Sequence, residues 1–282
     1  MNSAEIKEGQ RKSWNSAAPG WMKWWDLIEK WANPASARLI ELAKVSEGHK
    51  SLDLATGIGE PAVSMARIVG DNGSVLATDI AEDMLEFGSQ RAKSEGLTNI
   101  EFKRVDMEEL DYTNEFDSIT VRWGLMFLPD PETAVRKLYS ALKEGGRASA
   151  ATWSTPDEVP FASRPVKALM TELKLDPPPA GTPGIFALSD KERLKSMFVD
   201  AGFKDVEVES MGLTYNYESK QEFIDSMRDL AAPISGIVNS QPESERERLW
   251  QLVGESVSDF EKGDGTVEVT SVTLLVSGQK QT

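Results

Sequence analysis

The sequence lacks cysteine altogether and contains one histidine, His49. Without thiols the protein has no disulfide, no thiolate metal site and no cysteine nucleophile. The one imidazole lies just before the first predicted strand, away from the strand ends where ligands bind in α/β sheets, so we expect a structural role for it. Because the usual soft ligands are missing, we expect no metal site.

Positive charge and long apolar runs are also scarce. The 282 residues include 31 Lys and Arg against 46 Asp and Glu, a formal net charge of −15. Such a balance disfavours nucleic acid and anionic membrane surfaces as partners. No apolar run is long enough to span a bilayer, and the first residues lack the apolar core of a secretory signal. We therefore expect a cytoplasmic protein with no integral membrane segment.

What the sequence does contain is a regular alternation of short apolar runs and helical-period segments. Strands are predicted over 51–56, 74–79, 100–106, 116–123 and 147–153, then over 205–217 and 266–277. A helix capped by Asp130 is predicted to end at Gly145-Gly146, with Ala134, Val135, Leu138, Ala141 and Leu142 on its inner face. This order predicts a three-layer, doubly wound α/β fold with a mostly parallel seven-stranded sheet and an antiparallel last strand.

Helical segments flank and interrupt this pattern. Residues 155–187 are rich in proline and residues 219–262 are helical, so both are predicted as lid insertions. We predict a helical cap over 1–45 and a cofactor-binding domain over 46–282. Five cap residues recur at helical spacing, on one face of a helix predicted to end before Pro34: Trp21, Trp24, Trp25, Ile28 and Trp31.

The aromatic face of the cap allows two interpretations. It either anchors the cap to the core or closes over a cofactor and an apolar substrate, and each interpretation can hold for different tryptophans. The candidate substrate contacts are Trp21, Trp24, Trp25, Phe127 and Phe186.

The most informative segment is the strand, turn and helix start over 51–62. Its Gly57-x-Gly59-x-x-Ala62 spacing brings backbone N–H groups and a helix N-terminus against a ligand. Asp79 lies near the distance expected of a ribose-binding acid. These features fit a nicotinamide dinucleotide as well as S-adenosylmethionine. Asp53, inside the first strand, favours the second because a carboxylate suits a ligand that carries an ammonium and a sulfonium.

Together these motifs resemble the seven-stranded S-adenosylmethionine-dependent methyltransferases. They are most similar to the branch that contains the ubiquinone and menaquinone C-methyltransferases. The specific part of the resemblance covers about residues 45–155. It is carried by 53–62, 79–84, 105–107, 116–126 and 128–131, with weaker similarity at 201–203 and 275–280. Ala55 stands where the family has its first glycine, which is a sterically small departure.

The resemblance implies roles for the residues at the strand ends. Asp53 would hold the amino group of the methionine moiety, directly or through water. Asp79 would accept from both ribose hydroxyls, and Asp106 from the adenine amine. The other implied cofactor contacts are Ala55, Thr56, Gly57 and Gly59 in the turn, Ile80, Met84 and Met107 against the adenine, and Arg122 at the methionine end.

We therefore predict methyl transfer from S-adenosylmethionine to a small, largely apolar or aromatic molecule, on carbon or oxygen in preference to nitrogen. Such a displacement depends mainly on proximity and alignment, although a carbon or oxygen acceptor also loses a proton. No residue stands out as the catalytic base; the candidates, chosen by location alone, are Tyr215, Tyr217, Glu29 and Asp26. Two alternatives stay open: an NAD(P)-dependent oxidoreductase, and a cofactor-binding protein without catalysis.

Overall fold

In the computed structural model, which describes residues 2–179 and 181–281, seven strands form one sheet in the order β3-β2-β1-β4-β5-β7-β6. Strands β1 to β5 run parallel, and β7 is antiparallel to both of its neighbours. The predicted sheet is thereby confirmed. The strands are β1 (Lys50–Leu54), β2 (Ser74–Asp79), β3 (Ile100–Arg104), β4 (Phe116–Arg122), β5 (Leu142–Trp153), β6 (Lys204–Tyr217) and β7 (Val267–Gln279).

Helices flank this sheet. The helices are α1 (Ser3–Lys23), α2 (Trp25–Leu42), α3 (Ala62–Val69), α4 (Glu82–Ser94), α5 (Pro131–Ala141), α6 (Pro160–Leu173), α7 (Lys191–Asp200), α8 (Lys220–Leu230), α9 (Ala232–Asn239) and α10 (Glu243–Glu255). Asp130 caps α5 by accepting from the Thr133 amide, and the predicted inner face of that helix is fully buried. Within the described ranges, none of the helices has both the length and the apolar character needed to cross a bilayer.

The boundary between α5 and β5 differs from the prediction. The helix ends at Ala141, and β5 begins at Leu142 instead of Arg147. Pairing with β4 is irregular there, since Phe116 faces Leu142 while Ser118 faces Arg147. Glycines inside a strand commonly mark such a bulge. Gly145-Gly146 therefore lies in the bulged start of the strand and does not end the helix.

The N-terminal helix prediction was wrong in two respects. The chain forms two helices that meet at Trp24, so the four tryptophans of the predicted face do not share one continuous helix face. The second helix also runs through Pro34 to Leu42. Proline inside a helix costs about 3 kcal/mol, but Ile28, Ala32 and Leu39 are completely buried on the inner face of α2. Their burial against the sheet outweighs that cost.

A close backbone contact joins α1 to α8. A Cβ added at Gly20 would lie 2.3 Å from the carbonyl oxygen of Asp229. We expect Gly20→Ala to lower the free energy of unfolding by about 1–3 kcal/mol, because the helices would have to separate. Gly9→Ala is the matched control in the same helix, since no described atom lies within 4 Å of its Cβ. That variant should gain up to about 1 kcal/mol from helix propensity. Urea unfolding measures the free energy of unfolding of both variants. Equal changes in the two variants would contradict a close contact at Gly20.

Candidate functional site

The crevice of this sheet lies where β1 and β4 are neighbours. The chain continues from β1 towards β2 and β3 on one side, and from β4 towards β5 on the other. In open α/β sheets, ligands bind outside the carboxyl ends of strands at such a switch point. Asp53 in β1 and Arg122 at the end of β4 both lie there, whereas His49 precedes β1 at the opposite end of the sheet.

The turn after β1 has the backbone conformation that the glycine spacing predicts. Ala55, Gly57 and Gly59 all have positive φ angles, of 53°, 56° and 103°. At Gly59 an added Cβ would also lie 3.2 Å from the Cα of Gly88, so the turn packs closely on α4. By contrast, no described atom lies within 4 Å of a Cβ built at Gly57. The turn therefore leaves open space at Gly57, where a ligand can approach the backbone.

Asp79 fastens this turn to the end of β2. Its Oδ2 accepts from the Gly57 amide and its Oδ1 from the Ala81 amide, both at 2.9 Å. Burial raises the pKa of this carboxyl above its ordinary value, against the effect of these hydrogen bonds. Each carboxylate oxygen retains a second lone pair that can accept from a ligand hydroxyl.

A groove of about 640 Å³ runs from this point between α1 and the ends of β2 and β3. Ile80, Val105 and Asp106 line one side, and Lys7 and Arg11 of α1 line the other. Two of the four residues implied for the adenine edge and ring, Ile80 and Asp106, thus share this groove. Met84 and Met107 are buried in hydrophobic clusters.

Asp106 has a partner that the sequence did not reveal. Its Oδ1 accepts from the Glu108 amide at 2.9 Å, and its Oδ2 lies 2.8 Å from Nζ of Lys7. The same ammonium lies 2.7 Å from Glu108. Helix α1 therefore closes one side of the groove through a charged contact. Only long-range packing brings Lys7 to this carboxylate.

Asp53 is the most deeply buried charged group of the site, with a relative exposure of 0%. Its Oδ1 accepts from the Thr120 hydroxyl at 2.6 Å. Across the part of the chain that the structure describes, neither its Oδ2 nor the Thr56 hydroxyl meets the geometry of a hydrogen bond. The Thr56 hydroxyl lies near enough to the carboxyl to lower the pKa of Asp53, against the larger effect of burial. Burial raises the pKa of Asp53 from 3.8 to about 7. A buried carboxylate oxygen of this kind calls for a ligand that donates or carries positive charge.

Arg122 is buried next to α2, which supplies both of its partners. Its Nη1 donates to the Ser36 hydroxyl at 2.6 Å and lies 3.8 Å from Oε1 of Glu29. Burial lowers the pKa of Arg122, which nevertheless stays cationic because of its high intrinsic value. Burial also raises the pKa of Glu29, against the attraction of Arg122. Ser36 belongs to a segment that the sequence prediction had placed beyond the helix.

Arg91 of α4 is a second, largely buried cation beside the turn. Its Nη1 donates to the Ile58 carbonyl at 2.7 Å, and its Nη2 lies 3.3 Å from Oε1 of Glu60. The guanidinium lies 3.5 Å from the ring centroid of Trp25. Trp25, a predicted substrate contact, therefore lies against a protein cation through a cation–π contact.

The other predicted substrate contacts occupy different places. Trp21 and Phe127 both pack edge-on against Trp14, with ring centroids 6.1 and 5.2 Å away, and so come together. Trp24 donates from its indole nitrogen to Asp229 at 2.8 Å, which fastens the junction of α1 and α2 to α8. Phe186 is half-buried against the main core.

A larger aromatic cluster lies behind Arg122. Tyr215 stacks on Trp31 at 4.3 Å and on Phe161 at 4.5 Å, and Trp123 stacks on Trp153 at 4.8 Å. The Arg122 guanidinium lies 5.2 Å from the Trp123 ring centroid. Charged groups and aromatic rings therefore meet at the carboxyl ends of β4 and β5.

The four candidate bases differ in position. Tyr215 and Tyr217 are buried in the core, and burial raises the pKa of each phenol. Asp26 is exposed on α2. Glu29 is the candidate that approaches Arg122.

The carboxylate oxygens of this site fit a cationic ligand better than a pyrophosphate. Among the described residues, unsatisfied acceptor oxygens belong to Asp53 in β1 and to Glu29 of α2, which lies beside Arg122 at the end of β4. A pyrophosphate would add negative charge beside these buried carboxylates, whereas an ammonium or a sulfonium would neutralise them. The residues present therefore fit S-adenosylmethionine.

Sequence comparison supports this assignment. The model of the ubiE/COQ5 methyltransferase family matches residues 28–170. The ubiquinone/menaquinone biosynthesis C-methyltransferase UbiE of Pseudomonas putida is 34% identical over 183 residues, which cover 61% of this chain and 72% of that protein. The protein of the same name from Azotobacter vinelandii shows the same identity over the same shares of both chains.

Structural comparison identifies the same fold in distant proteins. The YcgJ protein of Bacillus subtilis aligns with a TM-score of 0.57 at 18% identity, over 89% of this chain and 99% of that one. Phosphoethanolamine N-methyltransferase 2 of Haemonchus contortus, solved with S-adenosyl-L-methionine, aligns with a TM-score of 0.55 at 17% identity. That alignment covers 88% of this chain and 53% of the other.

Proposed function

Because the chain belongs to the ubiE/COQ5 methyltransferase family, we propose that it methylates a small hydroxylated aromatic molecule on carbon or oxygen. The chain is an S-adenosylmethionine-dependent methyltransferase, as its family membership indicates. The names of its relatives support a quinol-type ring as the acceptor. The cytoplasmic location and the division into cap and cofactor-binding domain stay predictions.

The observation that carries the proposal is the unsatisfied, fully buried oxygen of Asp53 at the switch point, within the described part of the chain. Asp53 would hold the ammonium of the methionine moiety, and Asp79 the ribose hydroxyls. Asp106 would accept from the adenine amine in the groove beneath α1, and Arg122 would face the methionine end. When bound, the cofactor supplies an electrophilic methyl group on a sulfonium.

The acceptor side of the proposal rests on the aromatic residues. Trp14, Trp21 and Phe127 are half-buried and form one aromatic cluster near the turn. Trp31 extends the aromatic surface from α2 towards Arg122. These rings would exclude water and orient a planar acceptor, since alignment supplies most of the rate in methyl transfer.

Asp79→Asn tests the cofactor site. We expect it to weaken S-adenosylhomocysteine binding by about 10- to 100-fold, because one acceptor of a charged hydrogen-bond set becomes a donor. Calorimetric titration measures this affinity. Asp83→Asn is the matched control, since Asp83 is exposed on the first turn of α4, and it should bind as the wild type does. Unchanged affinity in Asp79→Asn would remove Asp79 from the site, and tight NADH binding instead would refute the cofactor.

Product analysis tests the acceptor. Purified protein and S-adenosylmethionine are incubated with hydroquinones, catechols, simple phenols and primary amines, and methylated products are identified by mass spectrometry. We expect methyl transfer to the hydroxylated rings. Methylation of the amines alone would overturn the proposed acceptor class and leave the cofactor assignment intact.

A further inference from the structure

The buried charges at the ends of β1 and β4 do not balance. Three carboxylates, Asp53, Glu29 and Glu60, face two guanidiniums, Arg91 and Arg122. When all five are ionised, one negative charge is left over. In a medium of low dielectric such an excess is costly, so it is relieved by a cation or by a proton.

Glu29 is placed to take that proton. Burial and Glu60 of the turn oppose the charged form of Glu29, whereas Arg122 of β4 and Arg91 of α4 favour it. Arg67 of α3 also favours it, but Arg67 is half-exposed and pairs with Glu95, so it is not one of the buried charges. Oε1 lies 3.8 Å from Arg122, beyond hydrogen-bond distance, and has no hydrogen-bond partner within 2–179 and 181–281. The Glu29 carboxylate is therefore held near a cation but is free to bind a proton.

Glu29 and Asp53 differ in their solvent exposure. The Glu29 side chain, on helix α2, keeps 24% of its surface exposed, although its Oε1 is itself buried. Asp53 lies inside β1 with no exposure, and in the proposed function its open oxygen is taken by the ammonium of the cofactor. Of the two groups, Glu29 is therefore the one left for the methyl acceptor.

We propose that Glu29 accepts the proton that the methyl acceptor loses, and so keeps the charge of the buried site constant through the reaction. The inference rests on the proposed function. S-adenosylmethionine carries one net positive charge at neutral pH, whereas S-adenosylhomocysteine carries none. The site that is neutral with the first ligand has one excess negative charge with the second, and a proton on Glu29 removes it.

The step balances in atoms and electrons. An electron pair of the acceptor forms the new bond to the methyl carbon, and the pair of the broken carbon–sulfur bond stays on sulfur. The acceptor keeps the electrons of the bond to its departing hydrogen, and the proton passes to the Glu29 carboxylate. The products are the methylated acceptor, the neutral thioether and a neutral Glu29.

Binding calorimetry tests this without turnover. Each ligand is titrated near neutral pH in two buffers of different ionisation enthalpy, which gives the protons taken up on binding. We expect S-adenosylhomocysteine to bring in about one proton more than S-adenosylmethionine in the wild type. In Glu29→Gln this difference should vanish, and the preference for the cationic ligand should fall about tenfold.

Two variants complete the experiment. Glu41→Gln is the control on the same helix, because Glu41 is exposed and pairs with Arg38, and it should keep the wild-type proton uptake. If Asp53→Asn removes the uptake and Glu29→Gln does not, Asp53 is the proton acceptor and the inference is wrong. Wild-type protein that binds neither ligand would instead refute the proposed function, and the inference with it.

Discussion

Asp53→Asn is expected to make the ligand-free protein more stable above about pH 7 while it weakens cofactor binding. Asp53 is fully buried, and its Oδ2 has no hydrogen-bond partner in the described structure. Burial raises its pKa from 3.8 to about 7. The folded state therefore binds this proton more tightly than the unfolded chain does.

The sign of the pH dependence follows from that difference. Below the unfolded pKa both states are protonated, and Asp53 carries no penalty. Between the ordinary pKa of 3.8 and the folded pKa of about 7, the unfolded chain has lost the proton while the folded state keeps it, so stability falls as the pH rises. Above the folded pKa the folded state buries the charge, and the full penalty remains. The full penalty is about 4 kcal/mol. A buried, unpartnered asparagine amide costs about 1–3 kcal/mol itself, so the expected net gain near pH 8 is about 1–3 kcal/mol.

Urea unfolding of wild type and variant between about pH 5 and pH 8 measures this gain. The wild type should lose stability across this interval more steeply than Asp53→Asn does. Asp117→Asn is a control of opposite sign. Lys143 and the Lys50 amide lower the Asp117 pKa despite its partial burial, so its loss should destabilise the protein near pH 8. If the difference in the free energy of unfolding between wild type and Asp53→Asn did not change with pH, Asp53 would be neutral throughout this interval or solvated.

Asp53→Asn is expected to have opposite effects on the stability of the ligand-free protein and on its stabilisation by the methyl donor. A carboxylate that destabilises the empty protein is compensated when a cation binds beside it, because the ligand then neutralises a buried charge. We therefore expect the methyl donor to stabilise the wild type strongly and Asp53→Asn weakly. Functional sites commonly retain such locally unfavourable groups.

Much of the fold could be predicted because its signals are local. Strand β2 has the predicted bounds, and the other strands except β5 lie within two residues of the prediction. The inner face of α5 was also correct, since its helical periodicity is complete within one segment. In parallel sheets, buried strands and amphipathic helices each carry their own pattern.

The errors arose where tertiary contacts override local preference. Pro34 does not end α2 because the helix is buried on both sides of it. Gly145-Gly146 forms a bulge because β5 pairs with β4 from Leu142 onwards. Local propensity is a weak predictor at such positions.

In the candidate site, too, local sequence patterns indicate some residues, and only contacts between distant segments indicate the others. Asp53, Asp79 and Asp106 could be predicted as candidate cofactor contacts because motif spacing places them at successive strand ends. Lys7, Ser36 and the contact between Arg91 and Trp25 join segments far apart in the chain, and no spacing rule indicates them. Glu29 was one of four candidate bases, and the packing of α2 against β4 distinguishes it.

Arg122→Met is expected to cause the largest loss of stability, about 3–5 kcal/mol near pH 8. Methionine fills much of the same space but leaves Asp53 and Glu29 without their buried cation. Both carboxyl groups should then have higher pKa values than in the wild type. The loss should therefore shrink as the pH falls to about 5, where the proton replaces the missing charge.

Urea unfolding at the two pH values, with Arg122→Lys as the charge-conserving control, measures this effect. A double-mutant cycle shows which group causes the loss of stability. Glu29→Gln in the Arg122→Met background should recover part of the loss near pH 8, because one uncompensated carboxylate is removed. Ser36→Ala should not recover any of it, since Ser36 contributes a hydroxyl and no charge. An equal loss at both pH values would mean that Arg122 stabilises the fold by packing alone. Buried charge balance would then not be the property that prepares this site for a cationic cofactor.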